Sequence, residues 1–122
     1  MTCLVFYNII NNMIDEKTKK MLELQAEICA ALSNITRLEI IFLIKEEEKS
    51  VSDIALELGI SMSNLSQHLK ILKEKGLVKH RKEGQHIYYS VANETVRKLC
   101  ETMREFVKRN IREFASLKES LV

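Results

Sequence analysis

Apolar positions along this chain recur with a helical period twice, and a stretch of strand-like residues separates the two. From Asp15 onward Met21, Leu24, Ile28 and Leu32 fall three or four residues apart, on one face of a helix predicted over residues 15–32. Ser33 or Asn34 can cap a second helix running to about Ile44, with Leu38, Ile41, Phe42 and Ile44 available to a core. A loop holding Glu46, Glu47 and Glu48 follows. Ser50 or Ser52 can then start a short third helix carrying Val51, Ile54, Ala55 and Leu58, which Gly59 ends. Ser61 can cap a fourth helix with Leu65, Leu69 and Leu72 on one face and Gly76 as its stop.

After Gly76 the pattern changes. Leu77 to Lys82 and His86 to Val91 read as two strands, the second carrying Ile87, Tyr88, Tyr89 and Val91, with the tight turn at Glu83-Gly84. A helical period returns from about Asn93 to Ser120. Its stripe is Val96, Leu99, Met103, Phe106, Val107, Ile111, Phe114, Leu117 and Leu121. At 1.5 Å per residue that helix is roughly 40 Å long, which outreaches a small core, so much of the stripe requires another partner.

Composition sharpens this picture at three points. A length of 122 residues suits one domain, and the absence of proline with only three glycines favours a mainly α (α+β) fold of about five helices plus a two-stranded hairpin. Residues 1–13 stand apart as an N-terminal extension to a domain at 14–122. They are uncharged, and are either an extra segment packing on a dimer or a stretch ahead of a start at Met13. The uncharged run, residues 1–14, is too short to cross a bilayer and lacks a basic leader or small-residue cleavage site; the expectation is a cytoplasmic protein with no membrane partner.

The net charge of +2 says little about partners, but its distribution says more. Residues 45–69 carry a net −3 and residues 70–86, with Lys70, Lys73, Lys75, Lys79, Arg81 and Lys82, a net +4. Val51 to Leu72 has the layout of a helix-turn-helix. Turning Leu65, Leu69 and Leu72 inward turns Ser63, Asn64, Gln67, His68 and Ile71 outward. A merely solvated face would be richer in Glu and Lys. Asn and Gln can read adenine edges in a major groove, and Ser and His can reach bases or phosphates. With Ser61 at its start and Lys70 beside it, this helix is a candidate for recognising double-stranded DNA. Lys79, Arg81, Lys82, Gln85 and His86 cluster around the Gly84 turn, as a basic ribbon that can hold phosphates and enter the minor groove. The whole is a winged helix-turn-helix.

At this point the chain resembles the ArsR/SmtB repressor family. The similarity lies in Leu32-Ser33-Asn34-Ile35-Thr36-Arg37-Leu38, Val51-Ser52-Asp53-Ile54-Ala55, Leu65-Ser66-Gln67-His68-Leu69-Lys70-Ile71-Leu72, Gly76-Leu77-Val78, Arg81-Lys82-Glu83-Gly84-Gln85 and Tyr88-Tyr89-Ser90-Val91. It covers roughly residues 15 to 120. It implies a homodimer joined through the first and last helices, and DNA release by an inducer.

The resemblance also shows what is missing. Where the family's Cys-x-Cys metal pair lies in the third helix, this chain has Val51, Ser52, Asp53, Ile54 and Ala55. Where its Asp-x-His and His-x-x-Glu ligands lie in the last helix, Asn93, Thr95, Phe106 and Arg109 stand here. No metal and no cofactor is therefore expected. Cys29 and Cys100 fall in the two helices the family uses to dimerise, so thiol sensing by them, with Cys3, is one reading; simple packing of small apolar side chains is the other. No nucleophile–base pair or phosphate-cradling glycine loop points to an enzyme. The alternative to a regulator is a winged-helix module that binds protein, or DNA without sequence preference, and answers to no inducer.

Overall fold

Side-chain caps decide where the helices begin. Asp15, Asn34, Ser50, Ser61 and Asn93 each accept a hydrogen bond from the backbone N–H three residues on, at 2.7, 3.1, 3.1, 3.1 and 3.0 Å. Of the paired candidates, Asn34 rather than Ser33 and Ser50 rather than Ser52 take the role. In this computed structural model, residues 2–12 and 14–120 are described. Met1, Met13, Leu121 and Val122 lie outside them, and with them the alternative start and the last member of the terminal stripe.

The chain forms α1 (Cys3–Asn12), α2 (Glu16–Leu32), α3 (Ile35–Ile44), β1 (Lys49–Ser50), α4 (Val51–Leu58), α5 (Met62–Glu74), β2 (Val78–Glu83), β3 (His86–Val91) and α6 (Glu94–Ser120). The strands make one antiparallel sheet in the order β1-β3-β2, with Val78 opposite Val91 and Glu83 opposite His86 in the hairpin. The described residues thus hold six helices where about five were expected, because the uncharged extension itself coils as α1. The expected two-stranded hairpin is present as β2 and β3, and Lys49 and Ser50 add a short third strand to it by pairing with Tyr89 and Tyr88.

The core sits where α3, α4 and α5 meet the base of the hairpin. Ile40, Ile44, Ile54, Leu65, Leu69, Leu72 and Leu77 are its fully buried side chains. Burying each contributes about 1.5–3 kcal/mol. Val78 and Val91 close it at the foot of the wing, so the sheet hangs from the same core that holds α5.

The long helices contribute little to that core. On α2 only Ala31 and Leu32 are buried, with Ile28 resting against them, while Met21 and Leu24 are exposed. No described residue of α6 is buried; Val96 and Cys100 touch the core, and the stripe from Leu99 to Leu117 faces outward. Phe42 and Leu38, expected in the core, are exposed. The Phe42 ring instead lies beneath the Lys45 ammonium and the Arg104 guanidinium, each 4.4 Å from its centroid.

Candidate nucleic-acid interface

The turn between α4 and α5 depends on Gly59. Its φ of +65° is a left-handed conformation that a side chain disfavours, and it lets the Ile60 N–H reach back to the Ala55 carbonyl at 3.1 Å. Ser61 then restarts the helix. Leu65, Leu69 and Leu72 are buried, which fixes the rotation of α5 and leaves Ser61, Ser63, Asn64, Gln67 and Lys70 exposed. Of these, Ser63, Asn64 and Gln67 are the positions expected from the leucine spacing.

His68 and Ile71 differ from expectation. Both are half-buried: Ile71 packs against the core, and His68 Nδ1 lies 3.3 Å from Arg37 Nη1 on α3. The reason was in the spacing. Position 68 falls three residues after Leu65 and four before Leu72, so it borders the leucine stripe rather than opposing it.

On the wing, Lys79, His80, Arg81, Lys82, Gln85 and His86 are all exposed. Arg81 is the exception in behaviour. Its Nε sits 2.9 Å from both Glu48 carboxylate oxygens, its Nη1 donates to Glu83 at 2.6 Å, and its guanidinium lies 4.6 Å over the Tyr88 ring. Those hydrogen bonds hold the Glu48 carboxyl below its usual range and keep Arg81 charged. Among the described residues, Lys79 and Lys82 enter no ion pair, so they carry the wing's uncommitted positive charge.

Between α5 and the wing runs an open groove of about 540 Å³. Lys70, Gln85 and His86 line it, as do Ser52, Ser66 and Lys73, which reading the sequence missed. Ser66, Lys70 and Lys73 recur at helical spacing on the flank of the leucine stripe. That signal was present, but only the placement of the wing shows which flank faces it.

The thiols do not converge with this surface. Cys3 and Cys29 are exposed, while Cys100 is half-buried and lines a second, mostly apolar groove of about 600 Å³ with Leu38, Phe42, Met103 and Val107. Burial pushes the Cys100 thiol's pKa up, which disfavours its reactive thiolate. Asn93 is engaged as the cap of α6, and Arg109 pairs with Glu105 at 3.7 Å.

Comparison with known proteins agrees with this arrangement. The model of the arsR family of bacterial regulatory proteins matches residues 34–80, from the start of α3 into β2. A cadmium resistance transcriptional regulatory protein CadC homolog from Staphylococcus aureus is 40% identical over 77 residues, 62% of this chain and 64% of that protein. The transcriptional activator HlyU of Vibrio cholerae is 37% identical over 73 residues, 60% of this chain and 68% of its own length. This chain thus spans just under two thirds of the first relative. Among solved structures, the homodimeric winged helix-turn-helix DNA-binding domain Mb0332 from Mycobacterium bovis superposes with a TM-score of 0.77 at 30% identity, covering 81% of this chain and 92% of that one.

Proposed function

The chain belongs to the arsR family of bacterial regulatory proteins, and on that premise we propose that it binds double-stranded DNA sequence-specifically, as a homodimer that represses transcription until a signal releases it. The observation that carries this reading is the two-sidedness of α5. Its leucine face is anchored in the core while Ser63, Asn64 and Gln67 stand exposed beside a basic wing. Amide and hydroxyl groups on a rigidly held helix suit base edges, which present fixed donors and acceptors in the major groove.

Within this reading Ser61, Ser63, Asn64, Gln67, His68 and Lys70 approach the major groove. Lys79, Lys82, Gln85 and His86 hold phosphates or enter the minor groove. Arg81 joins them only by letting go of Glu48. The exposed apolar stripe of α6, with Met21 and Leu24 of α2, favours pairing of two copies through these helices, as in the homodimeric neighbour. Two copies would set their α5 helices into successive major grooves, roughly 34–36 Å apart. No described helix is long and apolar enough to cross a membrane, which fits a protein working on DNA in the cytoplasm. The role is binding, not catalysis. The half-buried Cys100 fits packing better than sensing.

The test is titration of the dimer with the DNA upstream of its own coding region, at several salt concentrations, against a scrambled duplex. Preferred binding that weakens as salt rises supports the reading. Equal affinity for both duplexes would assign an architectural role instead.

A further inference from the structure

Arg37 touches three elements at once. It lies in the first turn of α3, where its backbone N–H donates to the Asn34 cap at 3.1 Å. Its Nε donates to the Ala31 carbonyl at 2.6 Å, one of the four carbonyls that the end of α2 leaves without helical partners. Its Nη1 lies 3.3 Å from His68 Nδ1 on α5, 31 positions along the chain.

The chemistry of the last contact has one solution. A guanidinium only donates hydrogen bonds and has no lone pair to offer. His68 Nδ1 must therefore accept, so its lone pair faces Arg37 and the ring's proton sits on Nε2. A proton on Nδ1 would set two N–H groups against each other. Fixing one ring nitrogen as acceptor fixes the other as donor. Gln67, the preceding position on α5, is exposed, while His68 sits at the border between that face and the leucine stripe.

We propose that Arg37 is a positioning residue for DNA recognition: it holds His68 in the Nε2–H form, so that α5 presents an imidazole donor to an acceptor on the duplex. Guanine N7 and O6, or a phosphate oxygen, have the complementary chemistry. Through the Ala31 carbonyl the same side chain ties the end of α2 to α5. The inference rests on α5 being the DNA-reading helix.

Two measurements test it. Nitrogen-15 NMR of the free protein reads the tautomer directly, with Nε2 carrying the proton in the native chain. R37Q, and R37M should R37Q unfold, is expected to give the mixture of tautomers typical of an unconstrained histidine. A double-mutant cycle then compares R37Q, H68A and the double variant on the tightest duplex selected from a random pool. Each single change is expected to weaken specific binding about tenfold, the scale of a lost charge-assisted hydrogen bond. The double variant is expected to be no worse than H68A alone. A native ring protonated on Nδ1, or losses that simply add, would overturn the proposal while α5 keeps its DNA-reading role so long as Q67A still weakens binding. Should Q67A and H68A both leave specific binding unchanged, the reading of α5 fails and this inference with it.

Discussion

Arg81 and Glu48 are joined across 33 positions of sequence, with Nε of the arginine 2.9 Å from both carboxylate oxygens of the glutamate. The pair ties the outer strand of the wing to the loop after α3, and Glu83 holds the same guanidinium from the other side. Since the arginine's bonds hold the folded-state pKa of Glu48 below its unfolded value, the brace contributes fully above the ordinary glutamate range. It is lost as pH falls through the lower, folded-state value. A carboxyl NMR titration of Glu48 should show that lowered midpoint, and E48Q should abolish the matching loss of wing order in acid. At neutral pH E48Q frees Arg81 for phosphate, so non-specific DNA affinity should rise and the salt slope steepen by up to about one. An unchanged slope in E48Q and in the E48Q/E83Q double variant, where neither carboxylate holds the guanidinium, would show that Arg81 does not reach DNA.

The rotation of α5 is enforced by its core. L65A and L69A, at fully buried positions, should each destabilise the fold by about 2–5 kcal/mol in denaturant titration. S61A removes the cap on the Asn64 N–H and should cost about 1 kcal/mol. A cost for L65A no larger than that for S61A would mean the leucine face is not what anchors the helix.

These anchors were legible in the sequence because they are local. Gly59, Ser61 and the leucine spacing specify the turn and the helix within about a dozen residues, and the structure realises them as read. What was not legible is non-local or unmarked. The strand β1 is only Lys49 and Ser50, and exists by pairing with Tyr88 and Tyr89 nearly forty positions on. The carboxylate partners of Arg81 and the Arg37 contact of His68 likewise depend on tertiary placement. The helix α1 carries no charge and no amphipathic charge pattern to announce it. Phe42 fitted the apolar period of α3, yet it faces outward because Ile40, Ile41 and Ile44 already fill the inner side.

The terminal stripe yields a prediction about assembly. Phe106 and Phe114 stack edge to face 5.9 Å apart and are both exposed, as are Ile111 and Leu117. F106E and I111E should shift the protein from dimer to monomer in analytical ultracentrifugation with the fold retained. Specific DNA affinity should then fall at least ~10-fold, since two half-sites are no longer engaged together. A dimer that survives both changes would place the interface elsewhere.

Cys100 offers a check on the packing reading of the thiols. Because burial raises its pKa and restricts access, iodoacetamide at neutral pH should label it at least ~10-fold more slowly in the folded protein than in urea. The native chain and C100A should bind DNA equally well before and after treatment with mild oxidants. Rapid labelling, with loss of DNA binding on oxidation that C100A prevents, would make this cysteine a sensor.

The most direct test of the account is a selection of bound duplexes from a randomised pool, run in parallel with the native chain and with variants Q67A and N64A. The native protein should enrich a near-palindromic site, and each variant should lose preference at its own symmetric pair of base positions while keeping the rest. Enrichment of no sequence by the native chain, or an identical site from all three proteins, would contradict the claim that the exposed face of α5 reads bases.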